Sequence, residues 1–146
     1  MNEVVRRAEP ADAAQLQQLE VEARHHLIDQ RGGAALLAEQ PPLGDWAPAI
    51  EDHARWIGVA DLDGFVVGYL ELALNGEIAV VRQVYVQPEA RELGFGDGLL
   101  DAARREAQRH GSSVLEGFAL PGDRDTKNLF ERAGITARKI IVSTRL

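Results

Sequence analysis

The chain of 146 residues contains no cysteine, which excludes disulfides, thiolate nucleophiles and zinc–thiolate centres. Its four histidines, His25, His26, His53 and His110, fall into no H-E-x-x-H or comparable ligand spacing, so no metal is expected. No apolar run approaches membrane-spanning length, and the opening Met1-Asn2-Glu3 begins no signal peptide. A cytoplasmic location, with no membrane partner, is the resulting expectation. Positive charge is also short: 16 Lys and Arg against 23 Asp and Glu leave a formal charge of −7, which argues against a nucleic-acid partner. Repeats and low-complexity tracts are absent. What remains is 45% hydrophobic and long enough for one domain, residues 1–146, with a core of its own.

The stretch around which the rest is organised runs from Val80 to His110. A β-branched strand is followed by a turn at Pro88, a loop Arg91-Glu92-Leu93-Gly94-Phe95-Gly96, and a long amphipathic helix. A strand that delivers a glycine loop to a helix N-terminus suits phosphate. The first-turn N–H groups are free, the helix dipole favours negative charge, and glycine lets the backbone come close. The loop lacks the Gly-Lys-Ser/Thr ending of a nucleotide P-loop and does not start a G-x-G-x-x-G dinucleotide fingerprint.

Upstream, Val4 to Ala8 reads as a short strand, and Pro10 opens a helix whose apolar positions Leu16, Leu19, Ala23 and Leu27 carry it to about His25. Ala34 to Glu39 is a second short helix. Gln40 to Pro48 holds too much proline and glycine for regular structure, and its Trp46 either lines an acceptor pocket or plugs the edge of the core. Glu51 to Ala54 forms at most a turn of helix. Strands at 55–60, 65–72 and 77–86 are joined through Asp63-Gly64 and Asn75-Gly76, both hairpin signals. In the middle one, strict alternation puts Phe65, Val67, Tyr69 and Glu71 on one face and Val66, Gly68, Leu70 and Leu72 on the other.

Three antiparallel strands therefore precede the loop, which is not how a doubly wound fold begins. Downstream, Gly111 caps the long helix, Val114 to Leu120 makes a strand parallel to the one before the loop, Thr126 to Ala133 a helix, and Thr136 to Thr144 a last strand. The fold class expected is α/β, an α+β mixed and mostly antiparallel sheet flanked by helices.

This order, with R-x-x-G-x-G at Arg91 to Gly96 and the late segment Asn128-Leu129-Phe130-Glu131-Arg132-Ala133-Gly134-Ile135, resembles the GCN5-related N-acetyltransferase (GNAT) superfamily across essentially the whole chain. The resemblance implies an acyl-CoA-dependent N-acyltransferase that passes acetyl from acetyl-CoA to a primary amine, with no metal. It implies that Val84, Tyr85 and Val86 run along the pantetheine arm. It also implies that Arg91, Glu92, Leu93, Gly94, Phe95, Gly96, Asp97 and Gly98 wrap the pyrophosphate, with Asp123 and Phe130 on the cofactor side. Two departures stand out. Phe130 replaces a tyrosine that protonates the leaving thiolate in many relatives, and a phenyl ring has no proton to give. Asp123 stands where many have asparagine. The alternative reading is a non-catalytic acyl-CoA-binding or dimerising module.

Candidate proton carriers are Glu71 and Glu77, on or beside the central strands, and Tyr85, in the strand that meets the cofactor. The resemblance implies that the backbone N–H of Val86 or a neighbour polarises the thioester carbonyl. Acidic residues before residue 55 modestly favour a cationic or amine acceptor. A homodimer is the expected partnership, because the apolar strand Ile140-Ile141-Val142 at a short C-terminal edge invites a second copy.

Overall fold

The computed structural model describes all 146 residues. Strand β1 (Glu3–Arg7) leads through a 3-10 turn, Pro10–Asp12, into helix α1 (Ala13–Leu27). Asp12 accepts the Glu9 N–H at 2.7 Å and both Arg6 guanidinium nitrogens at 2.8 and 2.9 Å, which fixes the angle at which α1 leaves the strand. These bonds hold the Asp12 carboxyl below its ordinary range, the Arg6 bond being the largest cause. Helices α2 (Gly33–Glu39) and α3 (Ala47–Glu51) follow. The proline-rich stretch ends earlier than expected, because Pro48 sits in the first turn of α3, where its missing N–H costs nothing.

Strands β2 (Arg55–Leu62), β3 (Phe65–Asn75) and β4 (Ile78–Val86) then form an antiparallel meander. A 3-10 turn at Pro88–Leu93 leads into α4 (Phe95–Arg109), followed by β5 (Val114–Glu116) and α5 (Arg124–Arg132). The sheet order is β1-β2-β3-β4-β5, all antiparallel except β4 with β5. This is the mixed, mostly antiparallel sheet expected.

Helix α4 covers one face of the sheet with Phe95, Leu99, Leu100, Ala103 and Ala107, and α5 adds Leu129 and Phe130. Helix α1 covers the other face with Leu16, Leu19 and Ala23, joined by Trp46 and Ile50. Two β-bulges set which side chains reach which layer. Ala60 pairs with Gly68 and Asp61 with Val66, so Val67 has no partner. The extra residue reverses the alternation: Val66 joins Tyr69 on the α1 face, while Val67 joins Leu70 on the α4 face. Strict alternation fails at this point. In β4, Glu71 pairs with Gln83 and Leu72 with Val81, which leaves Arg82 as the second bulge.

Two further expectations fail downstream. Strand β5 is three residues long rather than seven, and no strand forms after α5. Ile135 still packs on the core, but Ile140, Ile141 and Val142 are 85%, 82% and 87% exposed. A β-branched run supplies propensity, yet a strand needs a partner edge and a covered face, and this segment has neither. No helix is long and apolar enough to cross a membrane.

Candidate functional site

A groove of about 740 Å³ opens where β4 and β5 part company. Their pairing ends at Val80 with Glu116, so the second half of β4 has no neighbour on that side. Gln87 donates its N–H to Val67 O, and with a period of two Tyr85 and Gln83 also aim their peptide groups at β3. Those of Val84 and Val86 therefore face the groove. The Val86 carbonyl is taken by Arg91 Nε at 2.9 Å, leaving its N–H free.

At one end of the groove stands the start of α4. Gly94 has φ of +79°, a left-handed turn that glycine adopts without strain. The helix begins at Phe95, so Gly96, Asp97 and Gly98 belong to its first turn rather than to the loop. Gly98 donates back to Gly94 O at 3.0 Å as the first helical bond, so the N–H groups of Gly94, Phe95, Gly96 and Asp97 lie ahead of it and have no partner within α4. A Cβ on Gly94 would meet nothing within 4 Å, so the approach to these donors is open. Two ion pairs, both at 3.1 Å, tie α5 to its surroundings: Asp125 to Arg91 in the loop and Arg132 to Asp97 in the first turn of α4.

The floor is polar. Gln83 Nε2 donates to Glu20 and to Glu71, each at 3.0 Å, and its Oε1 accepts the Tyr69 hydroxyl at 2.7 Å. Arg55 holds the other Glu71 oxygen at 3.1 Å. Burial, with Glu20 and Glu71 beside it, pushes the Tyr69 hydroxyl well above its ordinary value. Tyr85 is half-buried, donates to Glu22 Oε2 at 2.8 Å and carries Arg91 over its ring at 5.8 Å. Desolvation first, and then the Glu22 bond, raise its pKa to about 12. Both tyrosines are therefore protonated donors at neutral pH. No group of three or more His, Asp or Glu side chains is placed to hold a metal ion.

A family model described as the acetyltransferase (GNAT) family matches residues 13–135. The chain belongs to the GNAT acetyltransferase family. No curated protein matches it in sequence. Among solved structures, it is similar to AAC(6')-Iy in complex with the bisubstrate analog CoA-S-monomethyl-acetylneamine, at 16% identity, TM-score 0.72 and full coverage of both chains. It is also similar to a ribosomal-protein-alanine N-acetyltransferase from Brucella melitensis biovar Abortus 2308, at 21% identity and TM-score 0.68, covering 100% of this chain and 99% of that one. The aminoglycoside 6'-N-acetyltransferase AAC(6')-Ih from Acinetobacter baumannii shows 15% identity and TM-score 0.68, covering 99% of each. At these identities the likeness establishes the GNAT fold.

In this GNAT domain the structure brings together most of the site residues expected from sequence and disperses others. Val84, Tyr85, Val86, Arg91, Gly94, Gly96, Asp97, Asp123, Phe130 and Glu71 all line the groove. Glu92 is exposed outside it, while Leu93 and Phe95 turn their side chains into the α4-side core and offer the groove only backbone. Gly98 faces Val5. Asp123 caps α5, its two oxygens accepting the Thr126 N–H at 3.2 Å and hydroxyl at 2.6 Å. Phe130 lies so close to Gly117 that a Cβ there would come within 2.2 Å of the ring.

Two further expected residues, Glu77 and Trp46, are not at the site either. Glu77 sits exposed in the β3–β4 turn outside the groove, its carbonyl accepting the N–H groups of Ser113 and Val114. Trp46 is fully buried, packs edge-on to Tyr69 at 5.2 Å and donates Nε1 to Glu20, so it plugs the core instead of lining an acceptor pocket. Sequence reasoning missed Gln83, and placed Glu20 only in a diffuse acidic region. An apolar helix position held by glutamate, between Leu16, Leu19 and Ala23, was the available signal for Glu20.

Proposed function

We propose that this GNAT domain is an acyl-CoA-dependent N-acyltransferase that passes an acetyl group from acetyl-CoA to a primary amine by direct attack in a ternary complex. One observation carries the reading: the start of α4, where the backbone N–H groups precede the first helical bond, opens onto a groove whose floor holds a carboxylate. The residues fit the ligand. Donors at a helix N-terminus suit a pyrophosphate, and the groove-facing peptide groups of Val84 and Val86 suit the amides of a pantetheine arm.

Acetyl-CoA, when bound, supplies an activated thioester. The chain supplies position and charge. The amides of Gly94 to Asp97 anchor the diphosphate, and the Val86 N–H polarises the carbonyl. Glu71, oriented by Arg55 and Gln83, takes the proton of the attacking amine. Phe130 has no proton for the leaving sulfur, so Tyr85, protonated at neutral pH, or water provides it; a thiol with an ordinary pKa near 8.5 needs little help.

The test is calorimetric titration with acetyl-CoA and desulfo-CoA, on wild type and on Gly94→Ala with Gly96→Ala, followed by thiol release with a panel of primary amines. A side chain at Gly94 is strained at its φ, and one at Gly96 comes within 3.3 Å of Leu129, so both substitutions distort the anion site. Micromolar binding lost in the variant and thiol release with an amine support the proposal. No binding by folded wild type overturns it. Binding without turnover supports the non-catalytic module, the reading that Phe130 favours.

The proposal includes a homodimer. The outer edge of β5 has no partner, and the exposed Ile140, Ile141 and Val142 supply an apolar strand. Sedimentation at high micromolar concentration tests it, and a monomer mass refutes it.

A further inference from the structure

Gln83 has two amide hydrogens, and the fold divides them between two carboxylates. One goes to Glu20 Oε2 and one to Glu71 Oε1, each at 3.0 Å, while the Tyr69 hydroxyl donating to Gln83 Oε1 fixes which end of the amide is nitrogen. The two carboxylates are not equivalent. Glu20 is 1% exposed and already accepts the Leu43 and Gly44 N–H groups and Trp46 Nε1, so it has no capacity for a ligand. Glu71 lines the groove, and after Gln83 and Arg55 each of its oxygens keeps a lone pair.

We propose that Gln83 is a positioning residue for N-acylation: anchored on the saturated Glu20, it holds the Glu71 carboxylate in the orientation from which it accepts the proton of the acceptor amine. This rests on the N-acyltransferase reading above. In the step, the amine nitrogen forms a bond to the acyl carbon as the carbon–sulfur bond breaks. One amine proton passes to Glu71, and the sulfur takes a proton from Tyr85 or water, so the products are an amide and a free thiol.

The groups around Glu71 and its neighbour Tyr69 come from four elements. Helix α1 contributes Glu20 and Arg24, strand β3 Tyr69, and strand β4 Arg82, Gln83 and Tyr85; Arg55 of β2, with Asp52 before it, completes the set. Arg55 is shared between Asp52 and Glu71, and Arg24 is engaged with the Leu37 carbonyl at 3.0 Å. Arg55 and the neutral donor Gln83 are the two side chains that hydrogen-bond Glu71, and of the two only Gln83 is anchored on a second buried carboxylate.

The experiment measures kcat and KM for acetyl-CoA and for the acceptor amine in wild type, Gln83→Met and Gln83→Asn, and repeats the Gln83 substitutions in a Glu71→Gln background. Methionine keeps the volume without the donors. Asparagine keeps the amide but is one methylene too short to span both carboxylates, so it guards against a methionine variant that does not fold. Losing the bond that orients Glu71 lowers kcat about tenfold with KM for acetyl-CoA unchanged, and causes no further fall in the Glu71→Gln background, because Gln83 acts through Glu71. Binding of desulfo-CoA is unchanged, since the loop amides are untouched. An unchanged kcat in a folded variant overturns the inference. So does a fall of the same size in the Glu71→Gln background, because Gln83 then does not act through Glu71. Active wild type with either result loses this inference alone; wild type that acetylates no amine loses the parent reading and this one with it.

Discussion

Replacing Glu20 by glutamine changes one buried atom and asks how much of the acceptor-side wall hangs on it. Each carboxylate oxygen accepts two donors: Gly44 N–H and Trp46 Nε1 at 3.1 and 3.2 Å on one, Leu43 N–H and Gln83 Nε2 at 3.0 Å each on the other. An amide in either orientation turns two of these bonds into donor-against-donor contacts. Hydrogen bonds to a charged group contribute about 1.5 kcal/mol or more each, so Glu20→Gln destabilises by about 3 kcal/mol. For a domain near 150 residues that corresponds to a fall in Tm of roughly 10 °C. Urea and thermal unfolding followed by circular dichroism read both quantities, and the exposed Glu22→Gln serves as control, with a change of no more than about 0.5 kcal/mol. A loss below about 1 kcal/mol for Glu20→Gln would refute the reasoning, because it would mean the four donors find water as readily as the carboxylate.

Asp12→Asn removes charge-assisted bonds to Arg6 and costs about 2 kcal/mol at neutral pH. The Asp12 carboxyl is held low, so this stability is present above the unfolded pKa and lost as pH falls through the folded one; urea midpoints of variant and wild type therefore converge in acid. The chain's two tyrosines, Tyr69 and Tyr85, are both raised, and with Tyr85 at about 12 only about a tenth of it ionises at pH 11. A tyrosinate absorbance band by pH 10 in the folded protein contradicts this. The corresponding stability is complete below about pH 10 and is lost as pH rises through 12, the reverse of the Asp12 case. Gly117→Ala places a methyl 2.2 Å from the Phe130 ring and costs about 1–3 kcal/mol. Phe130→Leu restores most of that loss, and failure of the double variant to recover in urea unfolding removes the clash as the cause.

The layers of the fold were legible because their signals are local. Asp63-Gly64 and Asn75-Gly76 fix two hairpins, and the 3.6-residue spacing of Leu99, Leu100, Ala103 and Ala107 fixes the face of α4. The turn that leads into α4 was legible for the same reason, since R-x-x-G-x-G at Arg91 to Gly96 states its backbone requirements in its own residues. The faces of β3 were not, because the bulge at Val67 arises from pairing with β2, and alternation read within one strand cannot see its neighbour. The C-terminal strand failed in the opposite sense. Ile140-Ile141-Val142 has the composition of a strand, and composition does not supply the edge against which a strand forms.

The sequence by itself determined the order of elements, the mixed sheet and the place where an anion can meet a helix N-terminus, since turn chemistry, periodicity and glycine spacing are written within a few residues of one another. Only the tertiary structure decided which polar groups meet. Glu20, Glu71 and Gln83 are 63 and 12 residues apart along the chain, yet share one amide. Trp46 left the acceptor site for the core, and Glu77 left it for a turn. A carboxylate's role depends on what surrounds it in space, and residues brought together by a sheet and the helices packed on it set those surroundings.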